Sequence, residues 1–322
     1  MSRVAPIVDK SKASVVLSGV SKFYGEILGI NGVSLEFHPG ITGVVGPNGA
    51  GKSTLMNVMA GLIRPNRGKI SVYGISPSQP EEFYRLVGYC TQYDQFPSGV
   101  TGRQFIMKTL KLHGYSHSDA YGLAERAIAR VDMSDVADDS VETYSKGLRQ
   151  RIRLAQSFSH NPKVLILDEP LNGLDPIARA QVNTLFREFS ADGVSVIVSS
   201  HVLHEVDLMS DQVILIDGGY LVAEGEVAGI RSETGEPMKI FIRSESATEI
   251  AAEVFNFEDV IEAQLHRDKS GLFVQTTDAD SFFAIFNERV LSKHWEIEAI
   301  GPADEAVEAV YRHLIVQDKV AS

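Results

Sequence analysis

The chain has 322 residues, of which 44% are hydrophobic and 22% charged, with a single cysteine. That usage is ordinary for a globular protein of about two domains and excludes a disordered, collagen-like or disulfide-stapled chain. Thirty basic against 42 acidic side chains give a net charge of −12, so no general attraction to nucleic acid or anionic lipid is expected.

Taken in chain order, the first 14 residues carry no apolar signal segment, and no later run approaches the length of a membrane span. Residues up to 230 alternate short β-branched runs with helical patterns, which implies an α/β unit with a mainly parallel sheet covered by helices. Strands are expected at 15–17, 33–37, 41–45, 69–72, 164–167, 194–198 and 213–216. Those at 15–17, 33–37 and 69–72 read as a small antiparallel layer. A helix follows 41–45, with the stripe Leu55, Val58, Met59 and Leu62 spaced by three and four. Cys90 reads as a small buried apolar residue in a reducing compartment. Short helical patterns fill 102–136, and a helix is expected at 149–160.

Composition changes near residue 231, where Gly235 and Pro237 punctuate the chain. Residues 231–322 hold 9 basic and 18 acidic side chains, so most of the net negative charge lies there. The expected order is strand 238–243, helix 247–255, a hairpin of 262–266 and 272–276, helix 281–291, strand 295–300 and a last helix at 304–316. This β-α-β-β-α-β order points to a small ferredoxin-like α+β domain at 231–322, after a domain at 14–230.

The densest chemistry is in Gly46-Pro47-Asn48-Gly49-Ala50-Gly51-Lys52-Ser53, which satisfies G-x-x-x-x-G-K-[ST] between an expected strand and an expected helix. The glycines let backbone N–H groups turn inward around phosphate oxygens, and the helix opening at Ser53 and Thr54 adds partial positive charge. Lys52 then reaches the β- and γ-phosphates of a nucleotide, and the Ser53 hydroxyl can ligate Mg2+. Further on, the apolar run 164–167 ends in Asp168-Glu169-Pro170, which places two carboxylates at the edge where α/β sheets bind ligands. Asp168 can hold Mg2+ and Glu169 can polarise an attacking water. Adjacent strand residues face opposite ways, so two roles are natural. The plainer readings are a glycine-rich turn with a solvated lysine and a strand end capped by solvated acids. The agreement of strand, loop and helix favours the nucleotide site.

Tyr144-Ser145-Lys146-Gly147-Leu148-Arg149-Gln150-Arg151 resembles the signature motif of ATP-binding-cassette (ABC) ATPases, usually Leu-Ser-Gly-Gly-Gln in its first five positions. Other positions match that family in order. Tyr24 resembles the aromatic that stacks on adenine, and Gln92 the Q-loop glutamine that touches Mg2+. Gly173-Leu174-Asp175 resembles the D-loop, and His201 the switch histidine that hydrogen-bonds the γ-phosphate. The resemblance covers about residues 14–230. It implies a P-loop NTPase cassette with a mainly parallel core sheet, an antiparallel β layer and a helical subdomain. It also implies ATP and Mg2+ as cofactors, catalytic roles for Lys52, Glu169 and His201, and metal contacts from Ser53, Gln92 and Asp168. The implied partners are a second cassette, as a homodimer, and integral membrane permease subunits. Ser145 and Gly147 would then contact the γ-phosphate of the ATP held by the opposite cassette, and Asp175 would bind nucleotide within the D-loop that links the two sites.

By the same resemblance the chain is expected to be cytoplasmic and peripheral on the inner face of the membrane, docked to the permease through residues 96–101. The helical region, the signature and the extra C-terminal domain resemble ATPase subunits of ABC-2-type exporters. Three departures stand out: Lys146 replaces the first signature glycine, Leu148 the usual glutamine, and Leu171-Asn172 the common Thr-Ser before the D-loop. Ser145, Gly147, Glu169 and His201 remain, so hydrolysis is expected. The competing readings are a soluble ABC ATPase of translation or DNA repair and a non-hydrolytic partner. A single cassette without long heptad coils argues against the first, and Glu169 against the second.

Overall fold

The computed structural model describes residues 13–93, 95–202, 206, 209–226, 238–266 and 270–302. The chain divides into two units, Met1–Val227 and Ala228–Ser322. The first unit opens with β1 (Val15–Tyr24), β2 (Ile27–Phe37), β3 (Gly40–Val45), α1 (Lys52–Met59) and β4 (Arg67–Val72). It continues through α2 (Pro80–Leu86), β5 (Val87–Cys90), α3 (Gly102–Leu112), α4 (His117–Arg130) and α5 (Lys146–Phe158). It closes with β6 (Val164–Asp168), α6 (Pro176–Ala191), β7 (Ser195–Ser200), β8 (Gln212–Asp217) and β9 (Tyr220–Glu226).

Two sheets result. Strands β2-β1-β4 form an antiparallel layer, and β5-β6-β7-β3-β8-β9 form a six-stranded sheet that is parallel except for β9. Strands β6 and β7 are buried along their whole length, which explains their unbroken apolar runs: both faces of the sheet are covered. The two-residue period of a strand sorts their side chains. Leu165, Leu167, Val196 and Val198 enter a core shared with α3, α4, α5 and α6. Val164, Ile166 and Ile197 enter a second core with α1 and the antiparallel layer. This is the α/β cassette architecture expected from the sequence, and it puts the C-terminal ends of β3, β6 and β7 side by side.

The second unit contains β10 (Met238–Arg243), α7 (Ala247–Val254), β11 (Val260–Leu265), β12 (Gly271–Thr276), α8 (Ala279–Lys293) and β13 (Ala299–Pro302). Its strands lie in the order β11-β12-β10-β13, with every neighbouring pair antiparallel. Ile240, Ile242, Ile250, Leu272, Phe282 and Phe286 form its core.

Three local expectations are corrected. The apolar stripe of α1 stops at Met59: Gly61 takes a left-handed φ of 71°, and Leu62 is 55% exposed beyond the helix end. Helix α5 begins at Lys146 rather than Arg149, because the Ser145 hydroxyl accepts the Leu148 N–H and caps it. No strand starts at Trp295. His294 ends α8 at a φ of 55°, and the turn drops the Trp295 indole into the core before β13 begins at Ala299. The turn at 267–269 and the helix expected at 304–316 lie outside the described residues. No helix among the described residues is long and apolar enough to cross a membrane.

Candidate active site

The glycine-rich loop joins β3 to α1. Gly51 takes a φ of 106° at the N-cap of α1, where a side chain would press on the Gly29 carbonyl oxygen. The loop therefore needs glycine at this position both for its backbone angle and for its closeness to β2. Gly46, Pro47, Asn48, Gly49 and Ala50 complete the turn, and Ser53 and Thr54 continue the first turn of α1. Lys52 is buried and folds back on this loop, its Nζ donating to the carbonyls of Gly46 at 2.7 Å and Pro47 at 3.1 Å. Burial lowers its pKa, against the opposing pull of the Glu169 and Asp168 carboxylates. These carbonyl oxygens occupy positions that phosphate oxygens can take at such an ammonium.

Asp168 closes β6 and is buried. Burial raises its pKa, while the hydroxyls of Ser199 and Ser53 hold it down. The donor set of Ser53 hydroxyl, Asp168 carboxylate and nearby Gln92 amide is all hard oxygen, the chemistry that suits Mg2+. Glu169 does not continue the strand. Its φ of 49° turns it off the sheet, so a break in the backbone, and not strand alternation, separates the two carboxylates. Its Oε2 accepts from Gln92 Nε2 and Asn172 Nδ2, each at 3.3 Å, and its Oε1 lies 3.2 Å from His201 Nδ1. A cavity of about 240 Å³ lined by Glu169, Asn172, Arg179 and His201 opens beside it.

The roles of two contributors were not visible in the sequence. The Ser199 hydroxyl donates to Asp168 Oδ1 at 2.6 Å and accepts the Glu169 N–H at 2.9 Å, so one side chain sets both carboxylates. Asn172 donates to the same Glu169 oxygen as Gln92. No local motif marks Ser199, which acts across strands, and Asn172 stands out in the sequence only as a departure before the D-loop, with no role attached.

The remaining candidates fall into two groups. Tyr24, at the end of β1, is 47% exposed, and a side chain at Gly29 would meet both its ring at 3.1 Å and Thr54 at 2.9 Å. The ring thus flanks the start of α1. Ser145 and Gly147 open α5 beside the D-loop: a Cβ at Gly147 would stand 3.5 Å from the Gly173 carbonyl. Asp175 caps α6, its Oδ1 accepting the Ala178 N–H at 2.9 Å. Helix α5 is tied back to the site by Gln150, which donates to the Pro170 carbonyl at 2.8 Å, and by Arg153, which bonds the Thr91 and Tyr93 carbonyls.

Residues 30–172 match the family described as ABC transporter. The chain is 35% identical over 224 residues to the daunorubicin resistance ATP-binding protein DrrA3 of Streptomyces coeruleorubidus, an alignment covering 69% of this chain and 71% of the relative. The chain belongs to the ABC transporter ATP-binding proteins. It is 33% identical over 228 residues to the Nod factor export ATP-binding protein I of Burkholderia orbicola, covering 70% and 75% of the two chains. The fold is also that of a dimeric ATP-binding cassette solved in a post-hydrolysis state with ADP and Pi, at a TM-score of 0.62 and 21% identity, over 66% of this chain and 98% of the other. This ABC protein is accordingly an ATP-binding, ATP-hydrolysing transporter subunit. Cassettes of this kind dimerise and work with membrane permease subunits.

Proposed function

We propose that two copies of this chain close around two ATP molecules, each held by one copy's phosphate loop and faced by the other's Ser145 and Gly147. Lys52 and the loop amides stabilise the charge that spreads over the γ-phosphoryl oxygens. Ser53, Gln92 and Asp168 would hold Mg2+, which supplies further neutralisation of phosphate charge. Glu169 orients the attacking water and accepts its proton density. His201 lies against the same carboxylate and would hydrogen-bond the nucleotide's terminal phosphate. Tyr24 offers its exposed face to the adenine, and Asp175 orders the D-loop by capping α6. The observation that carries this reading is the Glu169 carboxylate gripped by Gln92, Asn172 and His201 next to the Asp168–Ser199 pair.

The permease is proposed to dock beside the Q-loop. Phe96 and Val100 pack inward, Phe96 against Phe105, so the segment 96–101 offers few apolar side chains. A groove of about 590 Å³ lies alongside, lined by Leu62, Tyr84, Tyr89, Tyr93 and His113, with Tyr93 71% exposed. Docking there would hold the chain at the inner face of the membrane. The second unit, with its split β-α-β strand order, is proposed to be a ferredoxin-like accessory domain. The names of the two relatives, a resistance protein and an export protein, support outward transport; the cargo is chosen by the permease.

Glu169→Gln tests the site. It is expected to keep ATP binding, lose turnover by at least about a hundredfold, and run as a dimer on gel filtration with ATP and Mg2+. Parental turnover would reject Glu169, and a monomer at saturating ATP would reject the paired arrangement. Copurification with a multi-span membrane protein separates the transport reading from a soluble role.

A further inference from the structure

Two of the departures from the family pattern touch each other. Lys146, where a glycine is usual, is the first residue of α5, and its Nζ donates to Asn172 Oδ1 at 3.4 Å. Asn172, where a serine is common, donates through its Nδ2 to Glu169 Oε2 at 3.3 Å, and its backbone N–H returns to the Glu169 carbonyl at 3.2 Å. The amide has one orientation that serves both neighbours, oxygen toward the ammonium and NH2 toward the carboxylate, so Lys146 and Glu169 select the same flip. The geometry is held from both ends. Leu171 and Leu174, on either side of this turn, are buried in the core beneath it. The Lys146 stem lies across Gly173, where a Cβ would come within 2.8 Å of its methylenes. A serine at 172 would have to serve both partners through one shorter hydroxyl, and a glycine at 146 would leave no ammonium.

We propose that Asn172 is a positioning residue for Glu169, and that Lys146 acts through it by fixing the amide. The start of the signature helix is thereby coupled to the hydrolytic carboxylate of its own chain. This rests on the reading that Glu169 orients the attacking water.

The test is steady-state ATPase kinetics on the full chain. Asn172→Asp is isosteric and keeps the acceptor for Lys146, but loses the donor to Glu169. It is expected to lower kcat by about tenfold or more, with KM for ATP within about twofold of the parent. Lys146→Gly is expected to lower kcat less, by about threefold, and to add nothing in an Asn172→Ala background. Parental kcat in Asn172→Asp, or additive losses in the double variant, would overturn the proposal. So would a raised KM in Lys146→Gly, which would place that ammonium on nucleotide phosphate. A variant that loses ATP affinity or melting temperature together with turnover also counts against it. Glu169→Gln run alongside separates the two failures. If it keeps turnover, the reading of Glu169 falls; if it alone loses turnover, only the coupling falls.

Discussion

Ser199 shows how much one hydroxyl can decide. It is fully buried and serves Asp168 with its proton and the Glu169 N–H with its lone pair. Removing it leaves a buried carboxylate oxygen and a buried N–H without this partner. Ser199→Ala should therefore lower unfolding stability by about 1–3 kcal/mol, read from chemical denaturation. Activity should change with pH as well. Burial already raises the Asp168 pKa, and the Ser199 hydroxyl opposes that rise. Without it the carboxyl protonates at higher pH, so the acidic limb of the ATPase profile should move upward. An unmoved limb would mean that Asp168 is not the group titrating.

Helix α5 carries two duties in its first turn. Ser145 caps it through the Leu148 N–H, and the same end of the helix presents Lys146 and Gly147 outward. The cap and the proposed phosphate contact can be separated, because aspartate caps as well as serine but repels an anion. Ser145→Ala should cost about 1 kcal/mol of stability. Ser145→Asp should keep parental stability yet lose turnover, since its charge would face the partner's γ-phosphate. If Ser145→Asp turned over ATP at the parental rate, the serine would be a cap and nothing more.

At the scale of the whole ATP-binding unit, a buried histidine ties helices to sheet. His160, just past α5, hydrogen-bonds the Val87 carbonyl at 3.1 Å and stacks on His113, the C-cap residue of α3, ring centroids 4.2 Å apart. Burial, with His113 beside it, pushes the His160 pKa down to about 3 from 6.5. The folded state holds this ring neutral while the unfolded chain protonates it, so its contribution is intact above about pH 6.5 and is lost as pH falls toward 3. Stability measured by denaturant at pH 7 and pH 5 should drop for the parent and drop less for His160→Gln. Equal losses would place the acid sensitivity elsewhere.

The sequence by itself determined the phosphate loop and the paired carboxylates, because each depends on residue types a few positions apart, but it did not mark the edge strands β5 and β9 or the order of the sheet. Gly46 to Ser53 is one unbroken turn, and Asp168 and Glu169 are neighbours. The unbroken apolar run before Asp168 fits a strand covered on both faces. Tertiary structure decided what local spacing cannot carry. The parallel pairing of β6 with β7 brings Ser199 to Asp168 across 31 positions, and the turn after Glu169 brings Asn172 within reach of Lys146 across 26. It also took the strand at Trp295 away, since an indole that can be buried past a left-handed helix end is worth more to the core than to a sheet edge.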